Sequence, residues 1–287
     1  MSEKVKVVSF SGGRTSAYLV WLMEKTKRPG EVVVYLFMDT GAEHPKTYEF
    51  VRNVVKHFGI DLVCLRVDIN PELGKGNGYK VVSIDEIGPD LSPWSEMMKK
   101  YGVPYYGGAF CTDRMKLVPF KKYCDDAFGK GNYETWLGIR ADEPNRLAKK
   151  DGIRYLAEIS DFEKQDVLDW WSEQDFDLNL DEWLGNCVFC MKKSDLKLAA
   201  AQRDEPWMYI DFIECITSSN VRTGLKAGSA SSMYRKKRSL QQVISMFDSS
   251  TGDEIKLRIR GGKMVDSGSC SESCEVFACG TQLEIDL

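Results

Sequence analysis

Cys187-Val188-Phe189-Cys190 sets two thiols at a spacing that lets a tight turn grip one edge of a metal. Its backbone N–H groups can then point at the sulfurs. The same spacing serves a dithiol redox pair, but no thioredoxin-like context surrounds it. Nine cysteines against two histidines, His44 and His57, make sulfur the ligand chemistry open to this chain and nearly exclude an imidazole site. Cys111 lies upstream, and Cys270, Cys274 and Cys279 crowd the last stretch, "DSGSCSESCEVFACG". Cys64, inside an apolar run, and Cys124, inside an expected helix, read as core residues.

A second group is built for anions. In Ser9-Phe10-Ser11-Gly12-Gly13-Arg14-Thr15-Ser16 the glycines let the backbone bend and bring several N–H groups to one point. A following helix adds the positive end of its dipole. Ser11, Thr15 and Ser16 offer hydroxyls, and Arg14 a charged fork. Such a loop suits a pyrophosphate or a sulfate. It is not an ATPase P-loop, because the four-residue spacer and the Gly-Lys-Ser/Thr ending are missing. The competing reading is an ordinary strand–helix turn with glycine for packing. Asp39-Thr40-Gly41 closes another apolar run, where Asp39 can accept from a ribose hydroxyl, hold Mg²⁺ or cap the next helix. Lys116, Arg140 and Arg146 occur in strand-end or loop contexts, suited to an anionic nucleotide or to surface ion pairs. Glu43, His44 and Glu49 are read as local surface groups.

The elements that must position these groups alternate along the first half. Val5 to Phe10, Val32 to Met38, Asp61 to Val67 and Trp136 to Arg140 read as buried strands; Thr15–Lys25 and Pro45–Phe58 read as helices. Continuous apolar strands separated by helices predict a parallel sheet covered on both faces, with ligands beyond the strands' carboxyl ends. Residues 71 to 110 read as a loop-rich excursion, with "GKGNG" a turn. Helices are expected over 161–171 and 193–202, and Thr251-Gly252-Asp253 punctuates what reads as a hairpin of short strands. The expected division is 1–160, an α/β nucleotide-binding domain, and 161–287, a helical region with the Cys turn, hairpin and Cys-rich tail.

A composition 43% hydrophobic and 29% charged is that of a soluble globular protein, and the net charge of −4 argues against bulk sequence-blind wrapping of nucleic acid. Tyr234-Arg235-Lys236-Lys237-Arg238 is a local basic run, read as a solvated loop or helix end before a phosphate contact. The longest apolar run is too short to cross a bilayer and the N-terminus lacks a signal-peptide core, so a cytoplasmic protein with no membrane partner is expected. The oligomeric state is not fixed, and a homo-oligomer is compatible with the sequence.

Taken with their order, these motifs resemble a known family. "SFSGGRTS" is similar to the PP-loop (Ser-Gly-Gly-x-x-Ser) of the adenine nucleotide alpha-hydrolase superfamily. "DTGAEHPKTYEF" resembles the Asp-Thr-Gly signature of phosphoadenosine phosphosulfate (PAPS) reductases, "CTDRMKLVPF" their Cys-x-x-x-Lys-x-x-Pro segment, and "GIRADEPNR" their Gly-x-Arg stretch. The form Ser-Gly-Gly-Arg-Thr-Ser looks like the phage- and prophage-associated branch. The resemblance implies a Rossmann-like α/β fold and an adenine nucleotide, ATP or PAPS, with Mg²⁺. It implies nucleotide contacts from Ser9, Ser11, Gly12, Gly13, Arg14, Thr15, Ser16, Asp39, Thr40, Gly41, Gly138, Arg140 and Arg146. Arg14, Lys116, Arg140 and Cys279 are the implied catalytic groups.

The resemblance also implies a [4Fe-4S] cluster, with zinc as the alternative. Adenylylsulfate reductases use a Cys-Cys pair and a downstream Cys-x-x-Cys, and here Phe110 stands in place of the first cysteine of the pair. Cys111, Cys187 and Cys190 match the rest. Cys274, in a tail segment that resembles the phage-type branch, is the implied fourth ligand, with Cys279, Cys270 and Cys215 behind it. One implied reaction splits ATP to AMP and pyrophosphate, activating a carbonyl or nucleobase, as in enzymes that thiolate tRNA or DNA; a nucleic acid would then be a partner. A second is sulfonucleotide reduction by a tail cysteine that thioredoxin clears. Against it, Ala278-Cys279-Gly280-Thr281-Gln282 lacks the Glu and His of the reductase motif. A third reading is a nucleotide-binding phage accessory protein without catalysis.

Overall fold

The computed structural model describes residues 3–105, 109–224, 234–235 and 238–261. Its strands are β1 (Val5–Phe10), β2 (Val33–Met38), β3 (Leu62–Asp68), β4 (Gly78–Val82), β5 (Tyr133–Leu137) and β6 (Ile153–Tyr155). They form one sheet in the order β4-β3-β2-β1-β5-β6, parallel throughout except for the antiparallel β3–β4 pair. Successive side chains leave a strand on opposite faces. Val7, Leu36, Leu65 and Leu137 thus join Phe120 and Cys124 on one side, while Val8, Phe10, Tyr35 and Phe37 pack on the other. That two-sided burial is why the strands read as unbroken apolar runs.

The helices are α1 (Arg14–Thr26), α2 (Pro45–Phe58), α3 (Ser92–Tyr101), α4 (Val118–Phe128), α5 (Lys164–Ser172), α6 (Asp195–Asp204), α7 (Pro206–Thr217), α8 (Leu240–Ser245) and α9 (Gly252–Gly261). α1, α2 and α5 cover one face of the sheet and α4 the other. A further core joins Trp94, Met97 and Met98 of α3 to α6, α7, α8 and α9. Pro45 fits the first turn of α2, and Gly59 ends it at φ 64°, its N–H returning to Val55 O. None of the helices among the described residues is long and apolar enough to cross a membrane.

Three expectations change: the strand expected over Trp136 to Arg140 ends at Leu137, and two later segments differ. The hairpin beyond residue 243 is instead α8 and α9. Thr251 Oγ1 accepts from Glu254 N at 3.2 Å and Glu254 Oε2 from Thr251 N at 2.8 Å, a capping box that starts a helix. Ile255 and Ile259, four apart, then both reach the core. The excursion at 71–110 also holds β4 and α3, although its GKGNG segment is a loop, tied down by buried Lys100 through Lys75 O at 2.8 Å.

β1 stands between β2 on one side and β5 on the other, so the chain's winding reverses there. The crevice beyond the carboxyl ends of β1 and β5 is the topological switch point, where open α/β sheets take their ligands.

Candidate functional site

The loop after β1 turns at Gly12, whose φ of 81° suits glycine, and a Cβ there would lie 2.7 Å from Thr47 Cγ2. Ser11 and Ser16 fasten the loop to itself: their hydroxyls are 2.9 Å apart, and Ser16 Oγ donates to Gly13 O at 2.9 Å. Across the crevice, Gly138 comes so close that a Cβ would sit 2.8 Å from Ser16 Cα. Arg140, buried, donates from Nη1 to Thr15 Oγ1 at 3.1 Å and pairs with Asp142 at 2.8 Å. Arg146 pairs with Glu143 on the turn that follows. Residues 11–16 and 138–140 therefore meet, while Ser9 remains in β1, paired with β2 and β5.

Thr47 is 3% exposed and its hydroxyl has no hydrogen-bond partner. A buried hydroxyl left unsatisfied costs about 1–3 kcal/mol; the side of Thr47 that faces the Gly12 turn is its methyl, beside Phe37 and Val51. Arg14 points elsewhere: Nε and Nη2 each donate to Asp177 at 2.6 Å, and Trp171 Nε1 donates to Arg14 O. Burial pushes the Asp177 carboxyl up, but the Arg14 bond and charge outweigh it and hold it below the usual carboxylate range. Arg14, His44, Lys46, Asn179 and Glu205 line a cavity of about 360 Å³.

At the end of β2, Asp39 is 1% exposed and fully engaged. Oδ1 accepts from Gly41 N at 2.9 Å and Tyr48 Oη at 3.1 Å, and Oδ2 accepts from Arg66. Burial raises the Asp39 carboxyl, and neighbouring Glu43 adds to that, against Arg66 and the Gly41 N–H. With both oxygens taken, Asp39 does not fit a Mg²⁺ ligand unless Arg66 is displaced. The sequence signal for this partner is Arg66 itself, a cation inside the apolar run of β3.

Glu43 and His44 are not the surface groups expected. Glu43 is 2% exposed and accepts from Thr40 Oγ1 at 2.8 Å, Tyr48 Oη at 3.0 Å and Lys116 Nζ at 3.4 Å. His44 Nδ1 accepts from Lys46 N, so its proton sits on Nε2, which donates to Glu205 at 2.9 Å. Both are drawn inward because α2 starts against the C-terminal region. Glu49 is exposed, as expected.

Cys111, Cys187 and Cys190 line one cavity together with Thr40, Trp94 and Lys116. Cys111–Leu117 is π-helical, and i→i+5 winding stacks residues five apart, which puts Cys111 and Lys116 on one wall. The Cys-x-x-Cys turn is closed by Cys190 N to Cys187 O at 3.1 Å and follows Asn186 at φ 56°. Its opposite edge pairs with the loop after β2: Glu43 and Cys187 form a β-bridge, and Val188 N donates to Ala42 O at 3.1 Å. Buried Lys193, its ammonium pushed down to about 8 by desolvation, spans Trp183 O and Val188 O and braces the turn. Burial drives the Cys187 thiol well up, and Cys190, Glu43 and Cys111 add to it against Lys193. No three His, Cys, Asp or Glu side chains among the described residues are drawn into metal-binding geometry. Cys270, Cys274 and Cys279 lie outside those residues. Cys215, on α7, hydrogen-bonds Ser95. Three thiols around a largely apolar cavity nevertheless suit a soft, sulfur-preferring metal centre.

A family model described as phosphoadenosine phosphosulfate reductase domain matches residues 6–179. The chain is 56% identical over 285 residues to an uncharacterized nin region protein of Escherichia phage lambda, covering 98% of each. It is 33% identical over 156 residues to an uncharacterized protein of Methanocaldococcus jannaschii, covering 52% of this chain and 26% of that one. A second uncharacterized protein of that archaeon is 30% identical over 115 residues, 40% of this chain and 21% of its own.

Proposed function

We propose, from the premise that this chain belongs to the phosphoadenosine phosphosulfate reductase domain family, in its phage-type branch, that it binds an adenine nucleotide across the β1–β5 crevice. We propose further that it splits ATP to AMP and pyrophosphate beside a sulfur-ligated iron–sulfur centre. The observation that carries the nucleotide reading is the Gly12 turn at the carboxyl end of β1, closed against Gly138 and Arg140 across the switch-point crevice.

In this reading an acceptor oxygen, from a substrate carbonyl or from water, attacks the α-phosphorus. The bond to the α–β bridging oxygen breaks, and pyrophosphate leaves with the electron pair. With water the product is AMP and the proton passes to solvent; with a carbonyl it is the adenylated substrate, from which AMP leaves when a nucleophile takes the carbon. Backbone N–H groups of the loop and the N-terminus of α1 stabilise the pyrophosphate charge. Arg140 positions Thr15, and Lys116 lies between Glu43 and the thiol cavity, suited to steering the second substrate. Thr40 follows β2 and lines the thiol cavity. Mg²⁺ would arrive with the triphosphate, and no step is assigned to it. Cys111, Cys187 and Cys190 would hold the cluster, with Cys274 as fourth thiol. When bound, such a cluster supplies sulfur or electron chemistry to the second substrate, a nucleic acid base being one acceptor.

The test is anaerobic purification with iron, sulfide and zinc analysis, followed by incubation with ATP and with PAPS. Iron with sulfide, and pyrophosphate from ATP, are expected. Sulfite from PAPS without pyrophosphate would replace this reaction with thioredoxin-linked reduction through Cys279. A zinc-loaded, colourless protein would remove the cluster.

A further inference from the structure

The arginines of the basic run are engaged within the protein. Tyr234 is buried against Phe212, 6.0 Å between centroids, and Arg235 donates from Nη1 to Met191 O at 2.7 Å and from Nε to Asp195 at 3.1 Å. Arg238 reaches the same carboxylate at 3.4 Å. They staple the run onto the segment following Cys190, while Lys236 and Lys237 lie outside the described residues.

Cations distant in sequence gather instead at the C-terminal end of α3. Arg114 lays its guanidinium over the Tyr101 ring at 4.0 Å, and the Lys100 ammonium lies 5.1 Å from the same ring. Lys100 is 3% exposed and donates to Lys75 O at 2.8 Å and Asn77 Oδ1 at 3.2 Å, both neutral acceptors. Arg222 donates from Nη1 to Lys100 O at 3.1 Å and from its backbone N to Met98 O at 3.0 Å. Lys75 is exposed on the loop that Lys100 holds. None of these four cations pairs with a carboxylate among the described residues. The negative end of the α3 dipole and the face of Tyr101 offset part of their mutual repulsion. What complements the remainder is an anion from outside the fold.

Two features select that anion. The accessible charges stand on three separate segments, the loop at Lys75, the turn at Arg114 and the segment at Arg222, so they match repeated charge better than one phosphate. The half-buried Arg114–Tyr101 stack adds a planar surface of the kind on which an unpaired base stacks. We propose that this surface binds the phosphodiester backbone of a single-stranded nucleic acid, with a base against Arg114 and Tyr101. The place fits. Arg114 shares its π-helical segment with Cys111, Thr112 and Lys116 of the thiol cavity, and Phe110 links Tyr101, at 6.0 Å, to Trp94 of the cavity wall, at 6.1 Å. The inference rests on the reading in which a nucleic acid base is the second substrate, and its test needs neither ATP nor metal.

The test is fluorescence anisotropy of the full chain with a labelled single-stranded DNA of about 12 nucleotides, with its duplex, and with poly-glutamate as competitor. The single strand should bind more tightly than the duplex, and log K should fall against log salt with a slope of about −2, as for three phosphates. Lys75→Glu, at an exposed side chain, should weaken binding about tenfold and flatten the slope by about 0.7 or more. Arg114→Lys keeps the charge and should keep the slope, while losing about fivefold in affinity with the stack. Unchanged binding in both variants overturns the proposal. So does displacement of the strand by poly-glutamate at equal charge, which would mark a surface for acidic proteins. Binding lost on replacing Lys236 and Lys237 by alanine, but kept in Lys75→Glu, would return the contact to the basic run and overturn it too. Pyrophosphate release from ATP by a chain that binds no strand would overturn this inference and leave the nucleotide reading standing; strand binding without ATP cleavage would do the reverse. If Arg114→Lys does not fold, Lys75→Glu decides alone.

Discussion

Gly41 shows how one residue sets the approach of two loops. At φ 73° it occupies left-handed backbone, and a Cβ would fall 1.8 Å from Asp90 O. The same glycine receives Asp90 N on its own carbonyl at 2.9 Å and donates to Asp39. Gly41→Ala should therefore cost about 3 kcal/mol or more, from strain plus a backbone clash that cannot relax. Gly59→Ala is the control, with φ 64° but open space around it, and should cost about 1 kcal/mol. Urea denaturation of the two variants checks the difference. Asp177 carries a second prediction. Its folded carboxyl titrates below the unfolded one because the Arg14 bond outweighs burial. The pair thus stabilises the fold above about pH 4 and loses that contribution as the pH falls through the lower, folded value. Melting curves of the unaltered chain and Asp177→Asn should converge in acid and separate toward neutrality.

Helix ends decide what the sequence reveals at the level of elements. β1, β2, β3 and α2 were legible within a residue or so, because two-sided burial leaves unbroken apolar runs and Pro45 announces its helix. Beyond β5 the reading ran too far: Gly138, Ile139 and Arg140 leave the strand, since Gly138 must pass over Ser16. α9 was misread because Glu254-Ile255-Lys256-Leu257-Arg258-Ile259 alternates like a strand. Its Thr-x-x-Glu signal was present and lost to that period. Thr251→Ala should lower stability by about 1 kcal/mol and reduce helical circular dichroism, where a hairpin turn would leave the helical signal unchanged. The π-helical winding after Cys111 and the placement of Tyr234 had no local signal at all. Both depend on partners far along the chain, Trp94 and Glu43 for the first and Phe212 and Met191 for the second.

Across the whole molecule, the segment 40–44 is the seam between the anion loop and the thiol cavity. Asp39 and Thr40 leave the sheet at β2, Ala42 O holds the Val188 amide, Glu43 bridges Cys187, and His44 pairs with Glu205 before α7. Closely packed cores transmit displacement instead of absorbing it. A nucleotide that settles on the loop after β1 should therefore restrain the Cys turn as well as its own loop. Amide hydrogen exchange with and without ATP measures this. Val188 should exchange about tenfold more slowly with nucleotide, equivalent to about 1.4 kcal/mol of added local stability at this seam. By reciprocity, whatever factor the nucleotide adds to metal affinity, a metal in the thiol cavity adds to nucleotide affinity. Slowing confined to residues 12–16 and 138–140 would mean that the crevice and the thiols work independently, and a sulfur centre coupled to nucleotide cleavage would lose its physical basis.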